Sequence, residues 1–149
     1  MTTTNRPTPD PRLSWDEHFL VIAHATSNRA TCPRRRVGCV LVHENQVVST
    51  GYNGAVRGQA HCVEIGCLME DTHCIRTVHA EANAVALAAK HGARLQGAVA
   101  YITISPCFSC LKLLINAGIT RVVYGEFYRD ERSINLASTT GVRLHQLHA

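Results

Sequence analysis

The sequence predicts an α/β protein of three layers, α/β/α, built around a mixed five-stranded sheet. Three observations carry that expectation. Two neighbouring apolar runs, split by two turn residues, predict an antiparallel hairpin early in the chain. A strand–helix–strand–helix–strand alternation fills the second half and implies parallel strands with right-handed crossovers. An amphipathic segment precedes both, so helices are available for the two faces of the sheet.

The elements follow in order. Met1 to Arg12 is polar and holds three of the five prolines, which predicts a flexible leader over residues 1–12. Ser14 and Glu17 make a capping box, the start of a helix whose core face is expected at Trp15, Phe19, Ile22 and Thr26. Val37 to His43 and Gln46 to Tyr52 are the hairpin strands, with Glu44 and Asn45 as the turn. Gly54 to Arg76 has no clear period and is rich in Gly, Cys and His. An irregular stretch of that length is usually functional, and a metal could substitute there for a missing core. From Thr77 the pattern turns helical, with Val78, Ala82, Val85 and Ala89 on one face and Gly92 as the stop.

Ala98 to Ile104 reads as a strand. Ser105 then suits an N-cap and Pro106 a first helical position, in a helix reaching about Ala117 and ended by Gly118. Arg121 to Gly125 is a strand, Asp130 to about Thr139 a helix, and Val142 to Leu147 the last strand. No repeat or linker interrupts the pattern, so residues 13–149 are expected to form one domain, with 54–76 as a Cys/His-rich insert.

Composition narrows the function classes. The chain has 149 residues, 46% hydrophobic and 17% charged, which is globular and not disordered. No apolar run is long enough to span a bilayer, and no membrane role is expected. Net charge is +4 and pI about 8.8, which suits an anionic small molecule. Aromatics are only 5%, and the charge falls short of a nucleic-acid footprint, so a nucleic-acid partner is not expected. Seven cysteines is an odd number, and no export signal accompanies them. That favours metal ligation over a disulfide framework, in a reducing cytoplasm.

The chemistry concentrates in two motifs. His79-Ala80-Glu81 lies at one predicted helix start and Pro106-Cys107-Phe108-Ser109-Cys110 at another. Cys107 and Cys110 are three apart and share a helix face in the first turn, where the partial positive charge favours thiolate. With His79 they supply three protein ligands, and a zinc so held keeps one open position, the mark of a catalytic site. Glu81, two residues from His79, cannot face the same way along a helix. It can converge near the helix end and act as the proton shuttle. A second group, Cys32, Cys62, Cys67 and Cys74, suits a closed structural zinc tying the insert to the end of the first helix, with His61 or His73 as alternates for one ligand. Arg34, Arg35 and Arg36 suit a phosphate, and Arg34 and Arg36 share a parity if the strand begins early. Phe127 and Tyr128 follow a strand's C-terminal end, where open α/β folds place ligands.

His-x-Glu followed by Pro-Cys-x-x-Cys resembles the signature of zinc deaminases. Further stretches narrow the resemblance: Thr31-Cys32-Pro33-Arg34-Arg35-Arg36-Val37-Gly38, Gly51-Tyr52-Asn53-Gly54, His61-Cys62, Gly66-Cys67, Asn83-Ala84, Ser105-Pro106-Cys107 and Asn116-Ala117-Gly118-Ile119. From about Leu13 to Leu147 the chain resembles deoxycytidylate (dCMP) deaminases, including the late-competence-operon deaminases of bacteria, within the zinc-dependent cytidine deaminase superfamily. Cys39 departs from the small residue usual there and reads as core.

The resemblance implies a cytidine-deaminase-like fold and hydrolysis of dCMP to dUMP and ammonia, supplying dUMP for thymidylate synthesis. It implies that Asn53 bonds the sugar or base, that the Ala80 N–H meets the base carbonyl, and that the Ser105 carbonyl accepts from the amine. It also implies a homo-oligomer, with dCTP and dTTP as effectors in some members. The alternatives are deamination of another cytosine nucleotide, nucleoside or heterocycle, nucleic-acid editing, and a non-enzymatic competence-related role.

Overall fold

The computed structural model describes residues 9–128 and 130–148. Most of the expected polar leader, residues 1–8, lies outside the described residues. Helix α1 spans Trp15–Ser27, and the hairpin strands are β1, Gly38–His43, and β2, Gln46–Tyr52. The insert contributes β3, Gly54–Ala55, α2, Cys62–Ile65, β4, Met69–Glu70, and β5, His73–Cys74, and β6, Thr77–Val78, follows it directly. Helix α3, Ala80–His91, β7, Val99–Ile104, α4, Phe108–Asn116, β8, Arg121–Glu126, α5, Glu131–Thr140, and β9, Arg143–Gln146, complete the order.

The main sheet has five strands in the order β2-β1-β7-β8-β9. Strand β1 is antiparallel to both β2 and β7, whereas β7, β8 and β9 are parallel, so the sheet is mixed as the sequence predicts. The hairpin turn is Glu44-Asn45, both in the left-handed region at φ 50° and 58°, which matches the twist of the flanking strands. Alternation along the strands separates two cores. Val40, Val42, Tyr101 and Val123 face α1, packing with Phe19, Leu20 and Ala23. Cys39, Leu41, Ala100, Ile102, Val122 and Tyr124 face α3, α4 and α5.

Four sequence expectations need correction. Trp15 is 57% exposed, and the buried stripe of α1 is Phe19, Leu20, Ala23 and Ser27, one position round from the expected face. The apolar bulk of Trp15 misled the periodicity, because it stacks on Phe19 at the sheet margin without entering the core. Thr77 and Val78 form β6, and α3 begins only after His79, its N-cap. Its buried residues are Ala80, Glu81, Ala84 and Ala88, not Val78, Ala82, Val85 and Ala89. Small side chains win that face because the helix lies directly on β2: a Cβ on Gly51 would come within 2.2 Å of the Ala80 carbonyl oxygen. The helix after β7 begins later than expected, with Cys107 and not Ser105 as its N-cap. The insert, which has no sequence period, carries one short hairpin, β4 with β5, and opens with β3, which pairs antiparallel with β6 just beyond its end.

Candidate active site

The topology gathers the functional side chains at one edge of the sheet. Strands β7 and β8 end there, at Ile104 and Glu126, and antiparallel β1 begins there, opposite the end of β7. The starts of α3 and α4 meet at the same edge. His79 and Cys107 are the N-caps of these two helices, and Cys110 lies in the first turn of α4.

His79 Nδ1 is 3.3 Å from Cys110 Sγ and 3.7 Å from Cys107 Sγ. All three ligand atoms lie within 4.8 Å of one another. Zinc–sulfur bonds of about 2.3 Å and zinc–nitrogen bonds of about 2.0 Å in a tetrahedron put ligands about 3.5–3.8 Å apart, so these residues fit the metal. Electrostatics agree. A hydrogen bond from Cys110, helped by His79, brings the Cys107 thiol down to about 4, so it stands as thiolate. The His79 imidazole is raised, first by its bond with Cys107.

Glu81 is 5% exposed in the first turn of α3 and lines the same cleft. Burial pushes its carboxyl up to about 7, the neighbouring Cys107 thiolate adding to the effect. A carboxyl poised near neutrality beside a ligand cluster can both take and return a proton.

The cleft has a volume of about 600 Å³. Its walls include Arg34, Arg35, Asn53, Ala80, Ser105 and Tyr128, so most of the expected substrate-binding residues converge. Asn53 is buried, and its side chain brackets the arginine loop: Oδ1 accepts from Val37 N at 2.7 Å and Nδ2 donates to the Arg35 carbonyl at 2.8 Å. Ser105 Oγ accepts from Tyr128 N at 2.7 Å, which fixes the aromatic at the rim. The Arg35 guanidinium sits 5.2 Å from the Tyr128 ring centroid and 3.6 Å from the Glu126 carboxylate.

Arg36 is the exception. It lines a different hollow, with Leu20, His24 and Phe127, and does not border the cleft. The expected pairing of Arg34 with Arg36 assumed a strand through the arginines, but β1 begins only at Gly38. In the preceding coil, side chains need not alternate, and Arg34 and Arg35 both reach the cleft. Sequence reasoning also missed Asp130, which caps α5 and accepts from Phe108 N at 3.3 Å, steadying the start of α4. An Asp directly ahead of a helical stretch is the signal that could have found it.

The second cluster also assembles. Cys32, Cys62, Cys67 and Cys74 place their sulfurs within 4.8 Å of one another, with Cys32–Cys67 and Cys62–Cys74 both at 3.7 Å. His61 and His73 are not among the clustered ligand atoms. All seven cysteines are free thiols, so neither cluster is preempted by a disulfide. Burial raises Cys62 to about 12. In Cys74, burial is outweighed by backbone hydrogen bonds from Arg76 and Leu68, and the thiol falls to about 7.

Comparison with known proteins agrees with this geometry. Residues 13–126 match the family described as the cytidine and deoxycytidylate deaminase zinc-binding region. The chain is 44% identical over 137 residues to ComE operon protein 2 of Bacillus subtilis, covering 91% of this chain and 72% of that protein. It is 36% identical over 145 residues to the deoxycytidylate deaminase of Saccharomyces cerevisiae, covering 93% of this chain but only 46% of the yeast protein. Its fold superposes with a TM-score of 0.79 on the dCMP deaminase of cyanophage S-TIM5 in complex with dCMP and dUMP, at 28% identity over 88% of this chain and 95% of that one. The chain belongs to the zinc-binding cytidine and deoxycytidylate deaminase family.

Proposed function

We propose that this protein hydrolyses dCMP to dUMP and ammonia. The observation that carries the reading is the cluster of His79, Cys107 and Cys110 beside buried Glu81, with His79, Glu81 and Cys107 lining a cleft that Arg34 and Arg35 also border. The likeness to enzymes named deoxycytidylate deaminase supports the choice of substrate.

His79, Cys107 and Cys110 would hold zinc, which when bound would supply Lewis acidity toward water. Glu81 would take one proton from the attacking water and pass it to the ring nitrogen of cytosine as the water oxygen bonds to the amine-bearing carbon. It would then take the second proton from the new hydroxyl and give it to the amino group, which leaves as ammonia as the C–N bond breaks and the carbonyl forms. The Ala80 N–H, at the start of α3, donates to the base carbonyl, and the Ser105 carbonyl accepts from the amine. Tyr128 closes one side of the base. Arg34, with Arg35 beside it, meets the 5′-phosphate through a planar fork. Asn53 holds the backbone of that arginine loop and presents its remaining amide hydrogen to the sugar.

The four-cysteine cluster takes a second, structural zinc within a single domain over 13–149. The exposed apolar side chains Val63, Ile65, Leu68 and Ile75 on the insert support a homo-oligomer, and dCTP and dTTP are its candidate effectors. Free thiols in two ligand clusters support a cytoplasmic setting.

The test is ammonia release from dCMP, deoxycytidine, CMP and dCTP, with zinc content measured on the same sample. Preference for dCMP with two zincs per chain is the expected result. Equal rates on deoxycytidine would remove the phosphate assignment, and no turnover of any cytosine derivative at full zinc would remove the deaminase assignment. Mass measurement with and without dCTP tests the assembly; a monomer with nucleotide-independent kinetics rejects it.

A further inference from the structure

Arg34 is gripped from outside its own loop. Its Nη1 donates to the Thr72 carbonyl oxygen at 3.4 Å and lies 3.0 Å from Met69 Sδ. Both partners belong to the β4–β5 hairpin of the insert, in which Met69 pairs with Cys74 and Glu70 with His73. The hairpin turns at Asp71, φ 52°, and is closed by Ile75 N donating to the Leu68 carbonyl at 2.8 Å.

The grip leaves the useful face of the guanidinium available. The Nε–Nη2 edge makes no hydrogen bond with any other described residue, and that edge is a bidentate fork for an anion. A thioether is a weak acceptor, so Met69 orients the group without competing for it. Thr72 and His73 line the same cleft as Arg34. Both sides of the contact share an anchor, because Cys32, two positions before Arg34, and Cys74, the last residue of β5, belong to one sulfur cluster.

We infer that the Met69–Cys74 hairpin sets the preference for nucleotide over nucleoside, with Met69 as a positioning residue that holds Arg34 ready for the 5′-phosphate. The inference rests on the phosphate role of Arg34 given above. Arginine carries large rotamer freedom, and ordering it before the ligand arrives removes part of that cost from binding.

The test is calorimetric binding of dCMP and of deoxycytidine to zinc-loaded protein in a Glu81→Gln background, which stops turnover. Arg34→Ala should weaken dCMP about 10- to 100-fold and leave deoxycytidine unchanged. Met69→Ala should weaken dCMP about 3- to 10-fold, again without affecting deoxycytidine. Met69→Gln, which restores an acceptor at similar length, should recover most of the loss. In an Arg34→Ala background, Met69→Ala should have no further effect.

If Arg34→Ala acts as expected and Met69→Ala is silent, or weakens both ligands equally, the hairpin role is overturned while the phosphate reading stands. If Arg34→Ala weakens dCMP no more than deoxycytidine, the phosphate reading itself fails and the inference goes with it. If neither ligand binds any variant at full zinc, the cytosine-nucleotide assignment fails.

Discussion

Cys110 Sγ lies 3.3 Å from His79 Nδ1, although the two residues sit on different helices and 31 positions apart in the chain. Neither helix alone makes a site. The contact exists because α3 and α4 both begin at the edge where β7 ends, and each presents its first residues there. The carboxyl of Glu81 enters the same space from the first turn of α3, buried where its charge is poorly solvated.

Glu81→Gln tests the proton transfer. The amide keeps the shape and cannot shuttle a proton, so zinc content and thermal stability should hold while ammonia release falls about 10²- to 10⁴-fold. Turnover near that of the wild type would reject the assignment.

The two sulfur clusters should separate under substitution. Cys107→Ser should lose one zinc and all activity, with the insert still protected from protease. Cys62→Ser should lose the other zinc and lower the melting temperature first, because it removes one of the four clustered sulfurs that join the insert to the segment after α1. Metal analysis, melting curves and limited proteolysis on the same preparations distinguish the two, and identical phenotypes would argue against separate roles.

Gly51→Ala probes how close α3 lies to the sheet. A Cβ there would meet the Ala80 carbonyl oxygen at 2.2 Å and the Ala84 nitrogen at 2.5 Å, both backbone atoms that cannot swing aside. The helix must retreat, carrying His79 and Glu81 with it. A loss of about 2–3 kcal/mol and a fall in zinc affinity are expected, read by chemical denaturation and metal competition.

Asp16 gives a pH-dependent term away from the cleft. It accepts from Arg121 Nη2 at 2.6 Å, from Arg121 Nη1 at 2.9 Å and from the Tyr101 hydroxyl at 2.8 Å, joining the first turn of α1 to β7 and β8. The Arg121 guanidinium holds its carboxyl below the ordinary value of 3.8. A lowered value means stability that is present above the ordinary value and lost as pH falls through the lowered one. Asp16→Asn should therefore cost about 1–3 kcal/mol at neutral pH, and the gap to the wild type should close in acid. A gap that stays constant from pH 7 to pH 2 would show that packing, and not charge, is at work.

These sites also show what could be read from the chain. The Ser14–Glu17 capping box, the Glu44-Asn45 turn and the Gly92 stop were legible because each is a local backbone requirement met by a local residue. The cluster of His79, Cys107 and Cys110 was legible for a different reason: few chemistries need His-x-Glu and Cys-x-x-Cys at successive helix starts. The buried face of α3 was not. Hydrophobic periodicity weighs side-chain size, whereas closeness to β2 selects Ala80, Ala84 and Ala88 for full burial and leaves Val85 packed against the core only in part. The arginine run failed similarly. Nothing in three identical residues says where a strand begins, and that boundary alone sends Arg36 to one hollow and Arg34 and Arg35 to another.

The cysteine cluster has a consequence for the order of assembly. Cys32 precedes the β1–β2 hairpin, and Cys62, Cys67 and Cys74 follow it. Drawing the four sulfurs together closes a ring with that hairpin inside. A metal on the four sulfurs would therefore tie the segment ahead of the sheet's first two strands to the segment behind them. Arg34 and Arg35 lie on the ring itself, between Cys32 and Gly38. A chelator present during refolding should therefore leave the sheet formed and the arginine loop loosened, read as a loss of dCMP binding without loss of the far-UV signal.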